Sequence, residues 1–179
     1  MKSLFQLSKT TVIFHWLIAI AMICSVIFGL YLEGLPDEPD KVPLISIHKS
    51  VGMLILFAAS LRILWRMLEG FFPPLSASPV WQERAAKALH IFLLAATIFM
   101  PVSGIMMSLG SGYSVGIFGL ELITAGDKNE ILAETGEIIH GLGKTLLIIA
   151  GLIHVAATIK HSLINKDSTF KRMLGFKVD

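Results

Sequence analysis

The sequence predicts an all-α integral membrane protein, a single four-helix bundle over residues 1–179 with both termini in the cytoplasm. Three observations predict it. First, 54% of the 179 residues are hydrophobic and the mean hydropathy is +0.74, more apolar than a water-soluble domain. Second, four apolar stretches, at 12–32, 44–65, 85–109 and 138–163, each reach the roughly 20 residues that a hydrocarbon core of about 30 Å demands. Third, basic residues gather at one set of helix ends. Eleven (Lys2, Lys9, Arg62, Arg66, Arg84, Lys87, Lys160, Lys166, Lys171, Arg172, Lys177) fall on the side of the termini and four (Lys41, Lys49, Lys128, Lys144) on the other. That asymmetry puts the termini inside.

The first stretch, 12–32, is too long for the apolar region of a cleaved leader and lacks a small-residue cleavage site, so it is expected to remain as a helix. In the second, only 50–61 is free of charge; Lys49 and Arg62 lie within the span near its ends and snorkel. The third contains Pro101, tolerable in a membrane helix and expected to kink it. The links are GLPDEPDKVP, FFPPLSASPVWQE with Phe71, Phe72 and Trp81 at interface depth, and a longer segment over 110–137 expected to fold across the outer mouth. A net charge of +2, with no basic stripe interleaved with aromatics, argues against nucleic acid. A single cysteine, Cys24, excludes a disulfide framework and a CxxCH haem attachment, and is assigned to packing.

Six histidines carry the chemistry. His140 and His154 are 14 positions apart, close to four turns, so they share a face and are separated by about 21 Å along the axis. His161 continues the stripe about 10 Å further on. His48 lies near the outer end of its helix, as His140 does, and His15 near the inner end, as His154 does. The expectation is two layers, His48 with His140 outside and His15 with His154 inside, with His90 a further imidazole at the inner level.

Ionisable rings are costly in a bilayer and mark function. Facing imidazoles inside a helical bundle suit the two axial positions of a haem iron, a ligation for electron transfer rather than oxygen binding. Glycines beside them (Gly52, Gly141, Gly143, Gly151) leave room for a flat ring, though small residues also pack helices closely. Zinc or copper would want three or four ligands at one depth, including acids or thiols; only the inner layer has enough imidazoles. A proton relay would want acids, which the four apolar stretches lack. Met106 or Met107 as an axial ligand, and histidines serving only as hydrogen-bonding packing residues, are the remaining alternatives.

The ordered set FHWLIAI, ISIHKSVGMLIL, RILWR, MPVSGIMM, VGIFGLELI and HGLGKTLLIIAGLIHVAATIKH resembles the bacterial cytochrome b561 family, small dihaem cytochromes of the inner membrane, over essentially the whole chain. The resemblance implies two b haems ligated by His15, His48, His140 and His154. It is also similar to the stand-alone members that oxidise superoxide at the periplasmic face and reduce ubiquinone. The wider superfamily includes cytochrome subunits of hydrogenases and dehydrogenases, which keeps a periplasmic redox protein open as the donor. On this basis His161 and His90 are candidates for quinone contact. Lys49, Lys144, Arg62 and Arg66 are candidates for anion or haem-propionate contact, against snorkelling and lipid anchoring as the plainer roles. The outer segments carry nine acids (Glu33, Asp37, Glu38, Asp40, Glu121, Asp127, Glu130, Glu134, Glu137) against the four lysines, which opposes long-range attraction of an anion. Trp16 and Trp65 are expected in the interfacial aromatic belt.

Overall fold

A computed structural model describes residues 6–70 and 79–177; the expected interfacial Phe71 and Phe72, and Lys2, lie outside the described residues. Four long helices follow one another: α1 (Lys9–Glu33), α2 (Lys41–Glu69), α3 (Val80–Gly110) and α4 (Glu130–Leu163). All four are long and apolar enough to cross a membrane, and this is a multi-pass membrane protein. Each helix runs past its apolar stretch, so that Glu33, Glu69 and Glu130 belong to helix ends without lying in the hydrocarbon-length segment.

Local chemistry sets the starts. The Ser8 side chain accepts from the Thr11 N–H at the head of α1, and Asn129 accepts from the Leu132 N–H at the head of α4. Pro79 precedes α3, and α3 continues helically through Pro101. Along α1 the residues Ile13, Leu17, Ile20, Ile23 and Ile27 are all exposed. They recur three or four apart, one continuous apolar face, which is what a lipid-facing surface requires. The buried residues are few and mostly small, among them Ala59, Ala96, Ala150 and Ser103 beside Ile18 and Ile55, as expected where close helix approach rather than water exclusion drives association.

The main packed seams join α3 with α4, α1 with α2, and α2 with α3; no comparable seam joins α4 to α1 or α2. The four helices therefore go round in chain order and leave a cleft between α4 and the α1–α2 pair. Gly136 sets the α3–α4 distance: a Cβ there would sit 2.7 Å from the Met107 nitrogen and 2.8 Å from the Ser103 carbonyl oxygen.

Two elements were not anticipated. The third link forms an antiparallel hairpin, β1 (Val115–Ile117) with β2 (Leu120–Ile123), so the fold is helical with a small β appendage rather than purely α. Its two-residue turn places Phe118 and Gly119 at φ 47° and 89°, the left-handed pair a tight hairpin needs. The Phe118 N–H donates to the buried Ser50 Oγ at 2.9 Å, pinning the hairpin onto α2 two residues from His48. The link thus folds onto the end of the bundle that carries His48. At the other end a short helix, α5 (Thr169–Met173), follows α4 and returns to α1: the Trp16 indole N–H donates to the Met173 carbonyl at 2.8 Å, and Gly175 lies against Val12.

Candidate functional site

The cleft is bridged by histidine rings at two levels. His48 on α2 faces His140 on α4 with ring centres 6.4 Å apart, and His15 on α1 faces His154 on α4 at 6.3 Å. These are the pairs that helical rise and periodicity bring to equal depth. An imidazole nitrogen bonds a metal at about 2.0–2.1 Å and lies about 1.1 Å from its ring centre, so two such ligands on one iron put ring centres about 6.3 Å apart. Both pairs have that spacing. His90 on α3 makes a third ring contact at the inner level, but its centre is only 5.4 Å from that of His154 and nearly perpendicular to it.

Hydrogen bonds orient the outer pair. The His140 Nδ1 lies 2.9 Å from Ser103 Oγ and 3.2 Å from the Met100 carbonyl oxygen, which directs Nε2 away from α3. The His48 Nδ1 lies 3.5 Å from Ser25 Oγ, at the limit of a hydrogen bond. A side chain at Gly29 would press on the His48 ring at 3.2 Å, while a Cβ at Gly52, Gly141 or Gly151 would meet nothing within 4 Å. Gly52, Gly141 and Gly151 thus each border open space. Among the described residues no group of three or more His, Cys, Asp or Glu is arranged to hold a metal ion. The imidazoles come instead as pairs, a donor set suited to a planar macrocycle that supplies the other four ligands.

At the inner level the Arg62 guanidinium is near enough to act electrostatically on His15, His90 and His154, and Arg66 acts on His90. The Trp16 ring stands edge-on to His15 at 5.4 Å while its N–H holds α5. Trp65 donates to both Thr11 Oγ1 and Glu69 Oε2 at 3.2 Å, and Thr11 in turn donates to Glu69. Both indoles are therefore tied into the inner end of the bundle. The His161 Nδ1 lies 2.5 Å from Asp167 Oδ2, and Asp167 also accepts from the Thr169 N–H. Burial alone would raise the Asp167 carboxyl; hydrogen bonds from Thr169 and His161, with the His161 charge, hold it below the usual carboxylate range.

At the outer level Lys144 is paired with Glu33 at 2.5 Å and Lys41 with Asp37 at 2.7 Å. The Lys41 hydrogen bond also draws the Asp37 carboxyl below its ordinary value. Lys49 sits over the Tyr113 ring, 5.5 Å from its centre. Lys49 and Lys144 thus stand close to the His48–His140 level, as expected, but each already has a neighbour. Ser103, Ser25, Asp167 and Glu69 were missed from the sequence. Ser103 and Ser25 act through contacts between helices, which intrahelical spacing does not reveal; Trp65-x3-Glu69 and His161-x5-Asp167 were close enough in the chain to be noticed.

A family profile described as prokaryotic cytochrome b561 matches residues 6–176. Among curated proteins the chain is similar to cytochrome b561 homolog 2 of Escherichia coli (strain K12), 29% identical over 170 residues, covering 90% of this chain and 87% of that protein. It is 25% identical to cytochrome b561 homolog 1 of the same organism over 174 residues, 94% and 97% of the two chains. A protein of Yersinia pestis named probable superoxide oxidase CybB is 28% identical over 164 residues, 91% and 92%. With four spanning helices and two levels of paired imidazoles, the chain belongs to the prokaryotic cytochrome b561 family, membrane proteins that bind haem b and transfer electrons.

Proposed function

We propose that the chain binds two b haems, one between His48 and His140 and one between His15 and His154. Through them it carries electrons across the bacterial inner membrane from superoxide on the periplasmic side to ubiquinone on the cytoplasmic side. The observation that supports this most is the matched spacing of the two ring pairs, 6.4 and 6.3 Å, at two levels of one cleft. When bound, a b haem with two imidazole ligands supplies a one-electron carrier with no open iron position. Two superoxide ions then yield two O2, and their two electrons with two protons from the cytoplasmic side convert ubiquinone to ubiquinol. The proposed orientation, both termini cytoplasmic, rests on the eleven basic residues at one end against four at the other.

The side chains have distinct tasks in this scheme. The four paired histidines hold the cofactors, and Arg62 and Arg66 at the inner level offer cations for propionates there. At the outer level Lys49 and Lys144 do the same or meet the incoming anion. Asp167 engages the His161 Nδ1, and His161 is the first quinone-contact candidate. His90, against His154, is the second quinone-contact candidate. The Yersinia relative's name supports superoxide as donor.

A second reading is an electron conduit serving a periplasmic dehydrogenase or hydrogenase. It is favoured by the nine acids against four lysines on the outer side, with Lys144 and Lys41 already paired to Glu33 and Asp37. Such a surface suits a basic protein partner better than a small anion. The test is to supply enzymatically generated superoxide to purified protein with ubiquinone and to follow quinol formation. The first reading expects about one quinol per two superoxide ions, abolished by superoxide dismutase. No quinol from superoxide, with quinol formed when a reduced protein donor is added, would replace it with the second.

A further inference from the structure

We propose that Ser103 is a positioning residue for the outer histidine pair: with the Met100 carbonyl it fixes the His140 tautomer and makes His140 the more strongly electron-donating of the two outer imidazoles. The inference rests on the reading that His48 and His140 hold a haem. Ser103 is 1% exposed, and its Oγ lies 2.8 Å from the Met100 carbonyl oxygen and 2.9 Å from His140 Nδ1. His140 Nδ1 also lies 3.2 Å from that same carbonyl.

Donor counting settles the arrangement. A carbonyl only accepts, so a ring nitrogen beside it must carry its proton. The Ser103 hydroxyl has one hydrogen and donates it to Met100, leaving its oxygen to accept from His140 Nδ1–H. Nδ1 is thereby the protonated nitrogen and Nε2 keeps the lone pair that a metal needs.

The backbone is built for this contact. Gly136, His140 and Gly143 fall at i, i+4 and i+7, one face of α4 turned to α3. Gly136 lets the helices close at Ser103 and Met107, and a Cβ at Gly143 would fall 2.7 Å from the Met100 sulfur. Among the described residues no equivalent is seen at the other proposed ligands. His48 has only Ser25 at 3.5 Å, and His15 and His154 meet the rings of Trp16 and His90. An imidazole whose remote N–H is engaged is a more basic ligand and favours the ferric state. The outer centre is therefore set to the lower potential of the two, which favours electron flow from the outer side to the inner.

The experiment is a redox titration of haem-loaded wild type, Ser103→Ala, Ser103→Cys and Ser103→Thr, each with its haem-to-protein ratio. The inner centre is identified as the one remaining in His48→Ala. The expected result is an upward shift of the outer midpoint in the alanine and cysteine variants with the inner one unmoved. Its size is about a tenfold change in the ferrous-to-ferric ratio, about 59 mV for one electron. Ser103→Thr, which keeps the hydroxyl, stays within a third of that shift. If alanine costs the protein its outer haem, the near-isosteric cysteine carries the comparison. Unchanged potentials in variants retaining two haems overturn the proposal and leave the haem assignment standing, as does an equal shift in the threonine variant. A wild type with fewer than two haems removes the underlying reading instead.

Discussion

The inner level contains three imidazoles, and under the proposed haem binding their ring spacing selects the two that would share an iron. Ring centres on a common metal stand about 6.3 Å apart. His15 and His154 are at 6.3 Å; His90 and His154, at 5.4 Å, fall short by about 0.9 Å and meet edge to face. His15→Ala should therefore lower the haem-to-protein ratio from about two to about one, while His90→Ala leaves it near two. The assay is the pyridine haemochrome of detergent-purified variants, normalised to protein, with gel filtration to confirm that each is folded. Reduced-minus-oxidised spectra should show the outer low-spin signal retained in both. A ratio of about one in His90→Ala with about two in His15→Ala would refute the geometric reasoning and make His90 the ligand.

Three further outcomes are expected. Gly136→Ala pushes a methyl into backbone atoms of α3, an overpacking that costs about 1–3 kcal/mol; it should weaken retention of the outer haem while sparing the inner, seen as a ratio falling towards one on dilution, and even loss of both would contradict a local effect. Glu33→Gln releases Lys144 from its partner, so a superoxide-dependent rate should rise at low salt. The gain should fade as the screening length contracts from about 10 Å at 0.1 M to about 3 Å at 1 M; a rate that falls instead would speak against a small anionic donor. The Asp167 carboxyl is depressed in the folded chain, so its contribution is present above the unfolded value of about 3.9 and lost as pH falls through the folded one. Amide-exchange protection over 164–175, corrected for intrinsic rates, should hold at neutral pH and decline below about pH 4, and protection unchanged at pH 3 would remove Asp167 as the anchor.

The histidine pairing was legible because it depends on two quantities a sequence carries directly, the 1.5 Å rise and the turn of a helix that must span a fixed thickness. Four spans followed from hydropathy for the same reason. The hairpin was not legible: VGIFGLELI holds a two-residue turn whose first position is Phe118, not the Asn or Asp that usually marks one, and its stability comes partly from Ser50 on another element. α5 is five residues long and is held by a backbone carbonyl to Trp16, which leaves no periodic signal. Ser103 reads as an ordinary small residue beside Pro101 until α4 is laid against α3. The lysines illustrate the converse. Lys144 was rightly placed near His140, but its pairing with Glu33, which changes what an approaching anion meets, joins residues 111 positions apart.

The most direct test of the account is the haem content of the wild-type protein, taken with its low-temperature electron paramagnetic resonance spectrum in the oxidised state. The account predicts two non-covalent b haems per chain, both low-spin, with separate signals for the His48–His140 and His15–His154 sites. One haem per chain, or a high-spin signal from an iron with an open axial position, would contradict it.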